Sequence, residues 1–233
     1  METRRSWTAR LLEEWPLSTQ VRHLVFDVDA PEEFHWQPGQ YIELFERSVP
    51  GRRFAYSIAS AQVGDRPGRF ELAVGRDSSA HAVDALQVGE NIEVTQPRGK
   101  FVRPLGSDVP AVFIGVGTGV APLRAMIQGA LLAESRAPLT LLFGCRSENE
   151  LLWEQTFSRW AEDTRFRFFP TLSKPSASWN GRVGYVQAHL QGLGAALESA
   201  EFFACGSRTM VDDVAAELGK LGVPQERMRL EGY

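Results

Sequence analysis

Apolar residues follow two different rhythms along this chain, and the change of rhythm divides it. From Trp7 to about Val102 they come in short alternating or solid runs, at 9–12, 21–28, 40–45, 54–59, 70–74 and 92–95. Turn residues punctuate these runs at Pro38-Gly39, Pro50-Gly51, Gly64-Asp65 and Pro67-Gly68. With one helical stretch near 80–86, this predicts a small six-stranded antiparallel β-barrel. Beyond the linker 104–110, strand-like runs alternate with helix-length segments. Strands are expected at 111–116, 139–143, 166–170, 201–205 and 228–230, and helices at 120–134, 148–160, 183–190 and 209–221. That alternation predicts a doubly wound parallel α/β sheet with ligands at the carboxyl ends of its strands. Two domains follow, 1–104 and 105–233.

The second half opens on Ala111-Val112-Phe113-Ile114-Gly115-Val116-Gly117-Thr118-Gly119-Val120-Ala121-Pro122-Leu123. An apolar strand ends at a glycine-rich turn, and a helix starts with Pro122 in its first turn, where a missing N–H costs nothing. Such a corner aims free N–H groups and the positive end of a helix dipole at one point, where an anion can sit. Gly117 and Gly119 are expected to let a diphosphate approach the backbone. The spacing is not G-x-G-x-x-G, because Val120 holds the third glycine position.

Composition narrows the chemistry. The chain has 233 residues, 43% hydrophobic and 23% charged, with a net charge of −4. It therefore reads as a globular protein whose main ligand is not nucleic acid. No apolar run reaches the length of a membrane span, and no hydrophobic run follows the N-terminal arginines as in a signal peptide. The two cysteines, Cys145 and Cys205, lie far apart and read as free buried thiols of a cytoplasmic protein. Neither C-x-x-C nor a Cys/His cluster occurs, so no metal is expected and any redox cofactor should be organic.

Five motifs, in order, carry a resemblance to the ferredoxin–NADP reductase family. They are Trp36-Gln37-Pro38-Gly39-Gln40-Tyr41-Ile42 with Arg52-Arg53-Phe54-Ala55-Tyr56-Ser57-Ile58-Ala59-Ser60, the Gly-Thr-Gly-Val-Ala-Pro-Leu string at 117–123, the Gly144-Cys145-Arg146 region, Cys205-Gly206…Met210, and the tail Leu230-Glu231-Gly232-Tyr233. The segment Val74-Gly75-Arg76-Asp77-Ser78-Ser79-Ala80-His81 also resembles the family's loop over the FAD diphosphate. The resemblance implies that the barrel binds FAD and the parallel sheet binds NAD(P). Tyr56, Ser57, Ile58, Val74, Arg76, Ser79, His81, Ala82 and Tyr233 would hold FAD. Gly117, Thr118, Gly119, Pro122, Arg146, Ser173, Lys174, Arg182, Cys205, Gly206 and Met210 would hold the nicotinamide nucleotide. One departure stands out: the family's diphosphate arginine, two residues before the tyrosine, is replaced by Phe54. Either Arg52 substitutes, from the face of Tyr56, or a bulge turns Arg53 to do so, or the diphosphate is held more weakly than usual; substitution by Arg52 or Arg53 is the expectation.

The resemblance further implies a flavoprotein oxidoreductase. NADP(H), favoured over NAD(H), would deliver a hydride to FAD between Tyr56 and Tyr233. Ser57 and Glu231 would handle hydrogen bonds and protons, and Cys205 would shape the nicotinamide pocket. The acceptor would be a ferredoxin or flavodoxin, met by a monomer, with a basic rim drawn from Arg4, Arg5, Arg10, Arg52 and Arg53. The alternatives are an NADH-using reductase of a multicomponent oxygenase and a reductase of free flavin or ferric complexes. A non-catalytic nucleotide-sensing module is the alternative of another class.

Overall fold

The computed structural model describes residues 6–45, 49, 51–62, 67–76, 83, 85–133 and 135–233. Its first sheet has six antiparallel strands: β1 (Ser6–Pro16), β2 (Val21–Val28), β3 (Tyr41–Phe45), β4 (Arg53–Ser57), β5 (Arg69–Gly75) and β6 (Asn91–Thr95). They lie in the order β4-β3-β6-β1-β2-β5. A bridge between Ile58 and Leu72 joins the two outer strands and closes the sheet into a barrel. Alternation does the folding: in β1, Trp7, Ala9 and Leu11 point inward while their neighbours face solvent. Phe26, Phe34, Trp36 and Phe70 fill the interior in ring contact with one another.

The second sheet is parallel, in the order β10-β9-β8-β7-β11-β12. Its strands are β7 (Ala111–Val116), β8 (Leu139–Cys145), β9 (Phe166–Leu172), β10 (Arg182–Val183), β11 (Glu201–Gly206) and β12 (Met228–Gly232). Its helices are α1 (Val120–Leu132), α2 (Glu154–Trp160), α3 (Ala196–Ser199) and α4 (Arg208–Lys220). Strand order reverses between β7 and β11, which is where doubly wound sheets bind ligands. Ala59, Ala73 and Phe101 of the first half pack with Phe113, Met126 and Phe203 of the second in one apolar cluster.

Several elements differ from the periodicity. The strand expected at 9–12 runs from Ser6 to Pro16, its register shifting between Leu11 and Glu13. The helix expected over 148–160 is a 3-10 turn, Glu148–Glu150, followed by α2, because Trp153 takes left-handed φ of 53° between them. The helix expected over 183–190 is replaced by β10 and a 3-10 turn, Val186–His189, parted at Gly184 with φ of 112°. Most of the stretch expected to be helical at 80–86 lies outside the described residues, as does the Gly64-Asp65 turn.

Candidate functional site

The turn after β7 is the hinge of the site. Gly117 takes φ of 52°, and a side chain there would meet nothing within 4 Å. Gly119 differs from the expectation that it clears room for a ligand. It is buried, and a Cβ there would overlap the Cys205 carbonyl and the Gly206 nitrogen. Its glycine is needed so that the turn can lie against the end of β11. Gly117 faces one cavity and its neighbour Thr118 faces another.

The first cavity, about 480 Å³, is lined by Tyr41, Ala55, Tyr56, Ser57, Ala73 and Gly75 from the barrel and by Thr118, Ala121, Glu231, Gly232 and Tyr233 from the other half. Small residues form much of the wall, and three tyrosines supply aromatic surface, so a flat ring system fits. Tyr233 is two-thirds exposed, and its hydroxyl lies 3.0 Å from Thr118 Oγ1. The tail is fixed by pairing: β12 runs beside β11 with Glu231 opposite Cys205, and Tyr233 N donates to the Gly206 carbonyl. Burial raises the pKa of the half-buried Glu231 carboxyl.

The second cavity, about 460 Å³, opens at the carboxyl ends of β7, β8 and β11. Val116, Gly117, Cys145, Arg146, Ser173, Ser207 and Met210 are on its wall. Ser207 caps α4, accepting from Met210 N, so that helix also begins at the cavity. Ser173 N and Lys174 N donate to the carbonyls of Cys145 and Arg146, which draws that segment alongside the end of β8.

Other expected residues lie elsewhere. Ile58 and Val74 are fully buried in the barrel core, and Pro122 is buried in the first turn of α1. Cys205 is buried behind the end of β11 and lines neither cavity; burial first, then the Glu231 charge, pushes its thiol pKa up. Gly206 is buried between Val116 and Met210. Lys174 and Arg76 are exposed, and neither lines one of these two cavities. Arg182 stacks over Phe169 at 4.0 Å and lines a different cavity with Arg167 and His189. Ser79, His81, Ala82, Arg4 and Arg5 lie outside the described residues.

Arg52 and Arg53 have different surroundings. β3 and β4 pair without interruption from Tyr41–Ser57 to Phe45–Arg53, so no bulge turns Arg53. Arg53 therefore shares a strand face with Ala55 and Ser57, opposite that of Tyr56; all three of those residues line the first cavity, whereas neither arginine does. Its Nη1 lies 3.4 Å from Glu43 Oε2. Arg52 stacks on Phe54 at 4.8 Å, and Phe54 and Tyr56 pack against the barrel core.

Sequence reasoning missed Ala73 and Ala121 on the first cavity and Glu150, Gln187 and Asp213 on the second. Small and solvated side chains carry no pattern that marks them. It also missed Arg124, although a lone arginine within the apolar run of α1 is a visible signal.

Comparison with known proteins agrees with this arrangement. Residues 8–102 match the oxidoreductase FAD-binding domain and residues 113–216 the oxidoreductase NAD-binding domain. Ferredoxin–NADP reductase B of Sorangium cellulosum is 38% identical, over 97% of this chain and 96% of that protein. One component of the Na(+)-translocating NADH-quinone reductase of Neisseria meningitidis is 29% identical over 89% of this chain, which spans 56% of that protein. Among solved structures, a cytochrome P450 reductase from Amycolatopsis superposes with a TM-score of 0.85 at 28% identity, over 97% of this chain and 68% of that one.

Proposed function

Since the chain belongs to the ferredoxin–NADP reductase family, whose members are FAD-dependent NAD(P) oxidoreductases, we propose that it carries electrons between NADP(H) and a one-electron acceptor protein, a ferredoxin or flavodoxin. One observation carries the reading: the two cavities begin on adjacent residues, Gly117 and Thr118, and Tyr233 stands beside the second of them. A ligand in each would bring its reactive end to that corner.

FAD, when bound, supplies the redox chemistry, taking electrons as a pair and releasing them singly. The chain's own groups do the rest. Tyr41 and Tyr56 offer aromatic surface for the flat ring, while Ala55, Ala73, Gly75 and Ala121 leave it room. Ser57 offers a hydroxyl at the ring edge. Arg52 and Arg53, at the start of the strand that carries Ala55, Tyr56 and Ser57, are the cations that would hold the diphosphate. Tyr233 covers the corner and excludes water until the nicotinamide displaces it. Glu231, holding its proton to higher pH than an exposed carboxylate, can exchange it at the carboxyl oxygen. Cys205 keeps a neutral thiol behind this surface.

For the nucleotide, Gly117 and the start of α4, both on the second cavity, would hold the diphosphate. Arg146, with Ser173 and Lys174 alongside, is the group for the 2′-phosphate of NADP(H). Arg182 is held by Phe169 on another surface and takes no part. Both cavities are built from one chain, so a monomer suffices, and the free thiols suit the cytoplasm.

The test is a steady-state assay of the FAD-loaded protein with NADPH or NADH, and with ferredoxin, flavodoxin or free flavin as acceptor. The reading expects NADPH and a protein acceptor to give the highest kcat/KM. Equal efficiency with free flavin would contradict it.

A further inference from the structure

Arg124 sits on α1 among apolar neighbours, and only 7% of it is exposed. Its Nη1 donates across to the barrel twice, to the Ala59 carbonyl at 2.6 Å and to Glu71 Oε2 at 2.7 Å. The same Glu71 oxygen lies 3.1 Å from Nε2 of His23, on the neighbouring strand β2. His23 Nδ1 in turn accepts from Trp153 Nε1 at 2.8 Å, back in the second half. An indole N–H only donates, so Nδ1 is the acceptor of this pair, and the Nε2 edge of the ring lies against the Glu71 carboxylate. The Arg124 guanidinium lies 4.9 Å over the Trp153 ring and closes the circuit. Trp15 stacks on His23 from outside at 4.0 Å.

Two residues from each half thus make a closed loop that crosses the interface twice. Burial alone would raise the Glu71 pKa, but the His23 hydrogen bond and the Arg124 charge outweigh it, so the carboxyl is lowered and ionised. A buried ion pair is weak evidence for stability, since apolar residues of similar volume hold surfaces together as well. What it adds is direction. The surrounding apolar contacts of Ala59, Ala73 and Phe101 with the second half tolerate sliding, whereas hydrogen bonds of 2.6–2.8 Å do not.

The circuit lies immediately behind the flavin cavity. Ala121, on its wall, is one helical turn before Arg124, and Ala73, also on its wall, pairs with His23 and is two residues from Glu71. We propose that Arg124, Glu71, His23 and Trp153 are positioning residues that set the register of the two halves, and through it the approach of the nicotinamide to the flavin. The proposal rests on the reductase reading above.

Trp153→Phe keeps an aromatic ring and deletes the donor; Glu71→Gln keeps the shape and deletes the charge. Both are read on FAD-loaded protein by anaerobic stopped-flow reduction with NADPH, including the long-wavelength nicotinamide–flavin absorbance, and by separate NADP(+) titration. Each should slow flavin reduction about tenfold and weaken that absorbance, because misplacement of about 1 Å can cost about 100-fold. FAD content and NADP(+) affinity should stay within about twofold of the parent, the mark of orientation lost rather than uniform binding. The double variant should be no slower than the slower single, since both break one circuit. Reduction rates equal to the parent's, even with a lower melting temperature, would overturn the proposal, as would fully additive losses. A parent protein with no NADPH-reducible flavin would be the failure of the reductase reading itself, visible before any variant is made, and would take the proposal with it.

Discussion

Glu231 and Cys205, opposite one another on β12 and β11, show burial acting on two acids beside a redox site. Both are held toward their neutral forms. For Glu231 the folded pKa lies above the unfolded one, so its favourable contribution is complete below the unfolded value and is lost as pH rises through the folded one. Glu231→Gln should therefore raise the melting temperature at pH 8 by about 1–2 °C and leave it unchanged at pH 4, as thermal scans at the two pH values would show. The Cys145 thiol is pushed up to about 12, by burial and then by Glu150. Neither thiol should react with iodoacetamide in the folded protein at pH 7.5 on the timescale of minutes on which an exposed thiol does. Two of the cations named for the nucleotide should separate. Arg146→Ala should weaken NADPH by about 10–100-fold and NADH by less than about twofold, the loss of a charge-assisted bond to phosphate. Arg182→Ala should change neither KM. Motif residues such as Tyr56, Ser57 and Glu231 were legible because each sits in a short contiguous string. Arg124 and His23 were not, because their partners, Glu71 and Trp153, lie 53 and 130 positions away and the fold alone brings them together.

Among the elements, the turn between β7 and α1 is tightly constrained. Its Gly119 packs on the backbone of β11, and a methyl group has nowhere to go. Gly119→Ala should destabilise the protein by about 1–3 kcal/mol, the usual cost of overpacking, measured by urea denaturation. Gly117→Ala, at positive φ but in open space, should cost only about 1 kcal/mol from the left-handed backbone. The strand–turn–helix itself could be read from the sequence because an apolar run, two glycines and an early proline coincide there. The segments 148–160 and 183–190 were misread for a local reason. Apolar spacing suggests helix in both, but left-handed residues, Trp153 and Gly184, interrupt them, and a tryptophan gives no warning of that conformation.

For the whole molecule, the two-part architecture followed from the change in apolar rhythm, since a period of two and an alternation of strands with helices demand different layers. What rhythm could not convey is how the halves meet. The apolar cluster joining them draws on Ala59, Ala73 and Phe101, which read as ordinary barrel residues in isolation. The central claim is that this meeting places a flavin cavity beside a nicotinamide-nucleotide cavity. The most direct measurement is the visible spectrum of the FAD-loaded protein under anaerobic conditions, before and after one equivalent of NADPH, with NADH in parallel. A flavin absorbance at about 450 nm should bleach with either nucleotide, and faster with NADPH. A flavin band that stays unchanged after NADPH and NADH, or no band at all after FAD is supplied, would contradict the central claim.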